Sequence, residues 1–141
     1  MRFVQALYFV LAAIHIVAVV VTGILWIMID LVPGSGLRPH FRDIRAVHFG
    51  SLYLVPWFLT LAYTFDKLGV PDRHRIFFPA GLGALVLFAG VAYLFPRPPG
   101  LDPFYYWTRG WPMVLSLFGL AGLVAALLWT AAILVIYAVA G

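Results

Sequence analysis

Polar and apolar positions are strongly segregated along this chain. Four long apolar runs, from about Phe3 to Ile29, Val47 to Phe65, Phe77 to Phe95 and Trp111 to Val139, alternate with short segments that hold the charges. Each run is near or above the roughly 18–20 residues that a helix needs to cross a bilayer. None shows the strict alternation of a barrel strand, and a bilayer admits only helices or closed barrels. The pattern predicts helices over about residues 3–29, 45–65, 76–96 and 111–139 in a single transmembrane domain. The expected fold is an all-α integral membrane four-helix bundle.

The first run lacks a small-residue cleavage site after a short apolar region and continues to Asp30, so it reads as a retained helix rather than a signal peptide. Four spans put both termini on one side. Positive charge does not orient the bundle: Arg2 and the segment "DKLGVPDRHR" give four Lys or Arg on the terminal side, against five from Arg38, Arg42, Arg45, Arg97 and Arg109. The Pro- and Gly-rich connections "VPGSGLRPHFRDIR" and "PRPPGLDPFYYWTRGWP" share that second side and are candidates for a lid. Phe104, Tyr105, Tyr106, Trp107 and Trp111 suit a membrane–water interface.

Small residues recur in the third and fourth runs: Gly81, Gly83, Ala84, Gly90 and Ala92, then Gly119, Gly122 and Ala126. They let helix backbones approach closely, within one bundle or between copies of a homo-oligomer. Pro56 lies inside the second run, where it removes a backbone donor, loosens the bonding of the Leu52 carbonyl and predicts a kink.

Composition narrows the chemistry. The chain has 141 residues, 65% hydrophobic and only 10% charged, well below the roughly quarter charged in soluble domains. With no cysteine, disulfides and thiolate ligands are excluded. The formal charge of +4 is scattered over short connections and forms no basic stripe, which argues against a nucleic-acid partner. No glutamate occurs, and the five Asp stand in loops or at the ends of runs, so paired-carboxylate and Ser-His-Asp chemistry have no footing at membrane depth.

The groups left there are His15, His48 and five tyrosines, Tyr8, Tyr53, Tyr63, Tyr93 and Tyr137. Ionisable residues within a membrane are costly and are functional candidates. Imidazole is a good ligand for iron, haem iron above all. A membrane histidine also serves simply by hydrogen-bonding a neighbouring carbonyl or hydroxyl, and both readings stay open here. The depths of the two histidines argue against one shared iron. From the end of the first helix near Trp26 to Asp30, His15 is about 16–21 Å down at 1.5 Å per residue, whereas His48 is only about 6 Å in from the start of the second near Ile44. A single-histidine haem at His48 with an open iron position is therefore favoured over a bis-histidine one.

The loop with arginines, then "HFG" opening the second run, "LAYTFDKLG" closing it and "GVAYLFPRPPGL" ending the third form an order that resembles the styrene oxide isomerases. These are small four-helix membrane proteins with a histidine followed by x-Gly at the start of the second helix and a tyrosine in a "YLF" segment late in the third. The resemblance covers roughly His40 to Leu101, more weakly His15 to Trp26. It implies a trimer with haem b near subunit interfaces and His48 as axial ligand. It also implies ferric iron as a Lewis acid that isomerises a hydrophobic epoxide to a carbonyl compound. Tyr93 matches the family's active-site tyrosine, suited to orient an iron-bound oxygen. Arg38, Arg42 and Arg45 are candidate partners for the propionates, because guanidinium pairs well with carboxylate. His15 is a secondary candidate, for a propionate or a helix contact. The expected location is the bacterial inner membrane, in contact with lipid.

Two departures stand out. The family has an asparagine about six residues after the histidine, where this chain has Leu54, and an aspartate about eight residues before the tyrosine, where it has Leu85. Hydrocarbon replaces both polar groups, so the haem site is compatible with changed or lost isomerase chemistry. Three classes follow: a haem b isomerase, a non-catalytic haem b protein for gas binding or electron transfer, and a cofactor-free accessory subunit of a larger membrane complex.

Overall fold

The computed structural model describes residues 3–93 and 110–140, apart from the side chains at 89, 92 and 93. Helix α1 spans Phe3–Leu31 and α2 spans Phe41–Lys67. A single turn, α3, covers Asp72–Arg75, followed by α4 over Phe77–Tyr93 and α5 over Gly110–Ala140. The first, second and fifth of these are long and apolar enough to cross a membrane. Helix α4 has 17 described residues, and the rest of the predicted third span lies outside the described residues. So do Arg97, Arg109, the aromatic group at 104–107 and most of the second candidate lid segment. The chain divides into two compact units, Met1–Thr64 and Phe65–Gly141.

The first unit is an antiparallel pair. As residue numbers rise along α1 they fall along α2: Tyr8 meets Phe58, His15 meets Ser51, and Trp26 meets Phe41. Val4, Tyr8, Ala12, Thr22 and Ile29 are the buried positions of α1. Their spacing by threes and fours, with His15 and Val19 in step, makes one stripe on a 3.6-residue helix. On α2, Ile44, Ser51, Phe58, Leu61 and Ala62 are the matching buried positions. The outer faces of both helices are exposed and apolar, with Ile14, Val17, Ile24, Leu52, Tyr53 and Trp57 among them.

Helix α1 stops where Pro33 and two positive-φ glycines, Gly34 and Gly36, turn the chain. A 3-10 turn at Arg38–His40, with proline in its first turn, feeds α2. Helix α2 thus begins at Phe41, about four residues earlier than the hydropathy pattern predicts. The reason is local: Asp43 complements the helix N-terminus, so the polar segment continues the helix instead of looping. Arg42 and Arg45 are therefore helical, and only Arg38 belongs to the connection. Pro56 sits inside α2, which continues past it to Lys67.

The second unit starts in the last turn of α2. Gly69 takes a φ of +66°, and the amides of Gly69 and Val70 bond to the carbonyls of Asp66 and Phe65. This is a Schellman ending, completed by its apolar contact pair, since Phe65 and Val70 are both buried. Arg75, only 1% exposed, reinforces it. Its guanidinium donates to the Val70 carbonyl and, at 3.1 Å, to the Phe65 carbonyl, with Asp66 and Asp72 at 3.8 and 3.7 Å. A loop arginine by sequence is thus the most buried charge among the described residues.

Helices α4 and α5 are antiparallel and approach closely through small residues. A Cβ built on Gly81 would lie 2.3 Å from the Ala126 Cβ, and one on Gly119 would lie 3.0 Å from the Leu85 Cα. A Cβ built on Gly122 would lie 3.3 Å from the Ala84 Cβ. Gly81, Ala84, Gly119, Gly122 and Ala126 thus serve packing within this unit. Gly83 and Gly90 face open space.

Candidate functional site

The two histidines singled out from sequence both lie on the α1–α2 seam, each bonded across it. His15 Nδ1 is 3.1 Å from Ser51 Oγ, and its ring stacks on Phe58 with centroids 5.6 Å apart. His48 Nδ1 lies 3.0 Å from Thr22 Oγ1 and 3.1 Å from the Val19 carbonyl oxygen. Thr22 Oγ1 in turn lies 2.6 Å from the Ala18 carbonyl, the common back-bond of a helical threonine.

These distances favour a proton on the Nδ1 of His48. A carbonyl only accepts, so Nδ1 must carry the hydrogen to bond Val19. Of the two carbonyls within reach of the Thr22 hydroxyl, Ala18 at 2.6 Å is closer than Val19 at 3.3 Å, so its hydrogen goes to Ala18 and a lone pair faces the same Nδ1–H. Were Nδ1 unprotonated, its lone pair would face the Val19 oxygen at 3.1 Å, a repulsive contact. In the neutral ring, Nε2 then holds the free electron pair. It makes no hydrogen bond to any described residue. A histidine whose Nδ1–H is held by a backbone carbonyl while Nε2 stays open is the usual arrangement of a metal-ligating imidazole.

Aromatic rings border the half-buried imidazole. Trp26 and Phe49 meet it edge to face at 5.8 and 5.6 Å. Trp26 also contacts Phe41 and Phe49, which makes it the hub of this cluster. The bare Cα of Gly23 lies against the ring, since a Cβ there would stand 3.5 Å from His48 Cε1. Arg45 lies over Phe49 at 5.8 Å, one turn before His48 and at the polar end of the helix. On the outer side, Ile16, Val19, Val20, Leu52, Val55 and Pro56 line an open apolar groove of about 350 Å³. Val19 is shared between groove and imidazole clamp, and Leu52 is one turn on from His48. Arg38 lies elsewhere, with Asp30 in a hollow of about 420 Å³ formed by the α1–α2 connection.

The axial offset between the histidines is smaller than the hydropathy pattern predicts. Ser51, the partner of His15, is three residues past His48, and Val19 and Thr22 are four and seven past His15. At 1.5 Å per residue the offset is about 5–10 Å. The early start of α2 accounts for the difference, because His48 then lies about two turns inside its helix rather than one. The rings still engage separate partners, and His15 acts as a helix contact. No cluster of three or more metal-ligating His, Asp or Glu occurs among the described residues.

Tyr93 is the last residue of α4, and the role of its side chain lies outside the described residues. Of the other tyrosines, Tyr8 is buried against Phe58, Tyr53 and Tyr63 are exposed on α2, and Tyr137 neighbours His74. Leu85 lies at the α4–α5 contact, with its Cα against Gly119. Sequence reasoning missed Thr22, the Val19 carbonyl, Ser51 and Trp26. One signal was present: Thr22 stands seven residues after His15 and Trp26 four further on, the spacing of one helix stripe.

No protein-family model, curated protein or solved structure matches the chain.

Proposed function

We propose that this chain is an integral membrane haem b protein in which His48 Nε2 is the sole protein ligand to iron. The observation that carries the reading is the His48 clamp: Nδ1 lies 3.0 Å from Thr22 Oγ1 and 3.1 Å from the Val19 carbonyl, with Nε2 unbonded to any described residue. His15, bonded to Ser51 and stacked on Phe58, is occupied elsewhere, which favours a five-coordinate iron. Haem held by His48 would supply Lewis-acid chemistry toward an oxygen atom. Arg45, one turn toward the helix N-terminus, is suited to a propionate. Arg42 and Arg38 are its secondary partners, Arg38 being the more distant in sequence.

The resemblance to styrene oxide isomerases makes isomerisation of a hydrophobic epoxide the leading activity. Tyr93 is the residue that would orient the oxygen, and a homotrimer the assembly that would cover a macrocycle laid on the exposed face beside His48. The apolar groove next to the clamp suits a lipid-soluble molecule arriving from the bilayer. A second reading, a haem b protein without turnover, is favoured by Leu54 and Leu85. Both stand where the family carries polar groups, and neither can stabilise charge.

The test is an absorption spectrum of the detergent-purified protein beside His48→Gly, with and without added imidazole. The reading expects a Soret band lost in the variant and restored by imidazole, which enters the vacated space as a free ligand. A folded, colourless wild type after haem supply would remove both haem readings and leave the histidines as helix contacts in an accessory subunit. Where the band is present, conversion of an aryl epoxide to an aldehyde separates isomerase from non-catalytic protein.

A further inference from the structure

We infer that Thr22 is a positioning residue that, with the Val19 carbonyl, pins the His48 ring proton to Nδ1 and keeps Nε2 a standing electron-pair donor. The inference rests on the haem reading only for its consequence at iron; the proton position belongs to the protein itself.

The argument begins with what Thr22 does on its own helix. A threonine at membrane depth must place its hydroxyl hydrogen, and the nearest acceptor is the carbonyl four residues back. At 2.6 Å from Ala18, that bond is made. Its direction leaves the oxygen's lone pairs facing across the seam, where His48 Nδ1 stands 3.0 Å away. Val19, one residue along the helix, turns its carbonyl to the same Nδ1–H at 3.1 Å. One hydrogen is therefore shared by two acceptors from adjacent turns of α1. Thr22 is itself buried, so water does not compete for the ring nitrogen from that side. Neither acceptor tolerates an unprotonated Nδ1: the carbonyl has no hydrogen to give, and the hydroxyl has already given its own.

The shared hydrogen has two effects. It holds the ring against α1, where its Nδ1–Cε1 edge lies beside Gly23. It also lends negative character to the imidazole, as outer partners do for ligating histidines, which favours the more positive oxidation state of a bound metal. Thr22→Val keeps the shape and removes one acceptor. Thr22→Ser keeps the acceptor and loses only a methyl group.

The experiment uses full-length protein labelled with 15N-histidine, first without haem and then loaded. In the haem-free wild type, the His48 signals are expected to show the proton on Nδ1 and a bare Nε2, assigned by their loss in His48→Gly. Thr22→Ser should match wild type. Thr22→Val leaves the Val19 carbonyl as the one remaining acceptor, so a fraction of the Nε2–H form should appear beside Nδ1–H, and haem affinity should fall about tenfold, the lower end of what loss of an outer partner costs. It should also raise the iron midpoint potential. A wild-type proton on Nε2 overturns the inference whatever the colour of the protein. So does a Thr22→Val protein with the wild-type tautomer and haem affinity within twofold, since the carbonyl then suffices alone. An Nδ1 proton displaced in Thr22→Val, in a protein that takes up no haem, sustains the clamp while the haem reading fails.

Discussion

Replacing Gly81 by alanine should separate α4 from α5 at their closest approach. The new Cβ would lie 2.3 Å from the Ala126 Cβ, 2.9 Å from the Gly122 carbonyl oxygen and 3.3 Å from the Leu123 Cα. Carbon atoms in contact sit about 3.5–4.0 Å apart, so the helices must part by about 1 Å or more at this level. A gap of 0.5–1 Å already forfeits about a quarter to a half of each dispersion contact. The neighbouring contacts of Gly119 with Leu85 and of Gly122 with Ala84 would open with it. Overpacking typically costs about 1–3 kcal/mol, and obstruction by backbone atoms puts this site at the upper end. The helical preference of alanine over glycine offsets about 1 kcal/mol. The net expectation is a loss of about 2 kcal/mol. The assay is a reversible SDS titration of detergent-purified protein followed by circular dichroism. Gly83→Ala and Gly90→Ala, which face open space, should not lose stability in the same assay. Gly81→Ala combined with Ala126→Gly removes the shortest overlap but leaves the Gly122 oxygen and adds the helical cost of a glycine, about 1 kcal/mol, so it should recover only part of the loss. A Gly81→Ala protein as stable as the two controls would refute the close α4–α5 packing.

Three further substitutions test other parts of the structure. Arg75→Leu should lower stability by about 2–3 kcal/mol through the lost charge-assisted bonds to the Phe65 and Val70 carbonyls. An unchanged thermal unfolding midpoint would show that the Schellman ending holds without the guanidinium. Its half-exposed carboxylate partners add little, so Asp66→Asn should change the midpoint only slightly. Gly23→Leu puts carbons beyond a Cβ already 3.5 Å from the His48 ring, and on the haem reading it should abolish the Soret band in a folded protein; full retention would mean the ring does not lie against Gly23. His15→Phe keeps a ring over Phe58 but loses the bond to Ser51, so it should leave the Soret band intact while His48→Gly removes it. A band lost equally in both would revive shared ligation.

Much of the architecture was readable from hydropathy because hydrocarbon solvation acts on whole segments. The runs beginning at Phe3, Phe77 and Trp111 appear as helices starting at or within a residue of those positions. The start of α2 was not readable in the same way. Arg42, Asp43 and Arg45 are polar yet helical, and hydropathy registers polarity rather than capping. Arg75 shows the same limit more sharply. Its burial depends on two carbonyls freed by a turn at Gly69, a three-dimensional coincidence that no linear pattern announces. At the candidate site, His15 and His48 were found because ionisable groups at membrane depth are scarce. Val19 escaped because its contribution is a carbonyl that every residue has. Thr22 escaped because hydroxyls in apolar helices are common, and its value comes from which carbonyl takes its hydrogen.

The His48 clamp also has a mechanical side. The imidazole hangs from α2 by its Cβ and is tethered to α1 through Nδ1, like a strut fixed at both ends. A force applied at Nε2 therefore loads two helices at once, and the tether transmits part of it directly to backbone through the Val19 carbonyl. Sliding α1 by one turn would carry the Val19 oxygen about 5.4 Å away and cut the strut. Occupancy at Nε2 and the register of the α1–α2 pair are thus coupled degrees of freedom, and tension in one can be read as displacement in the other.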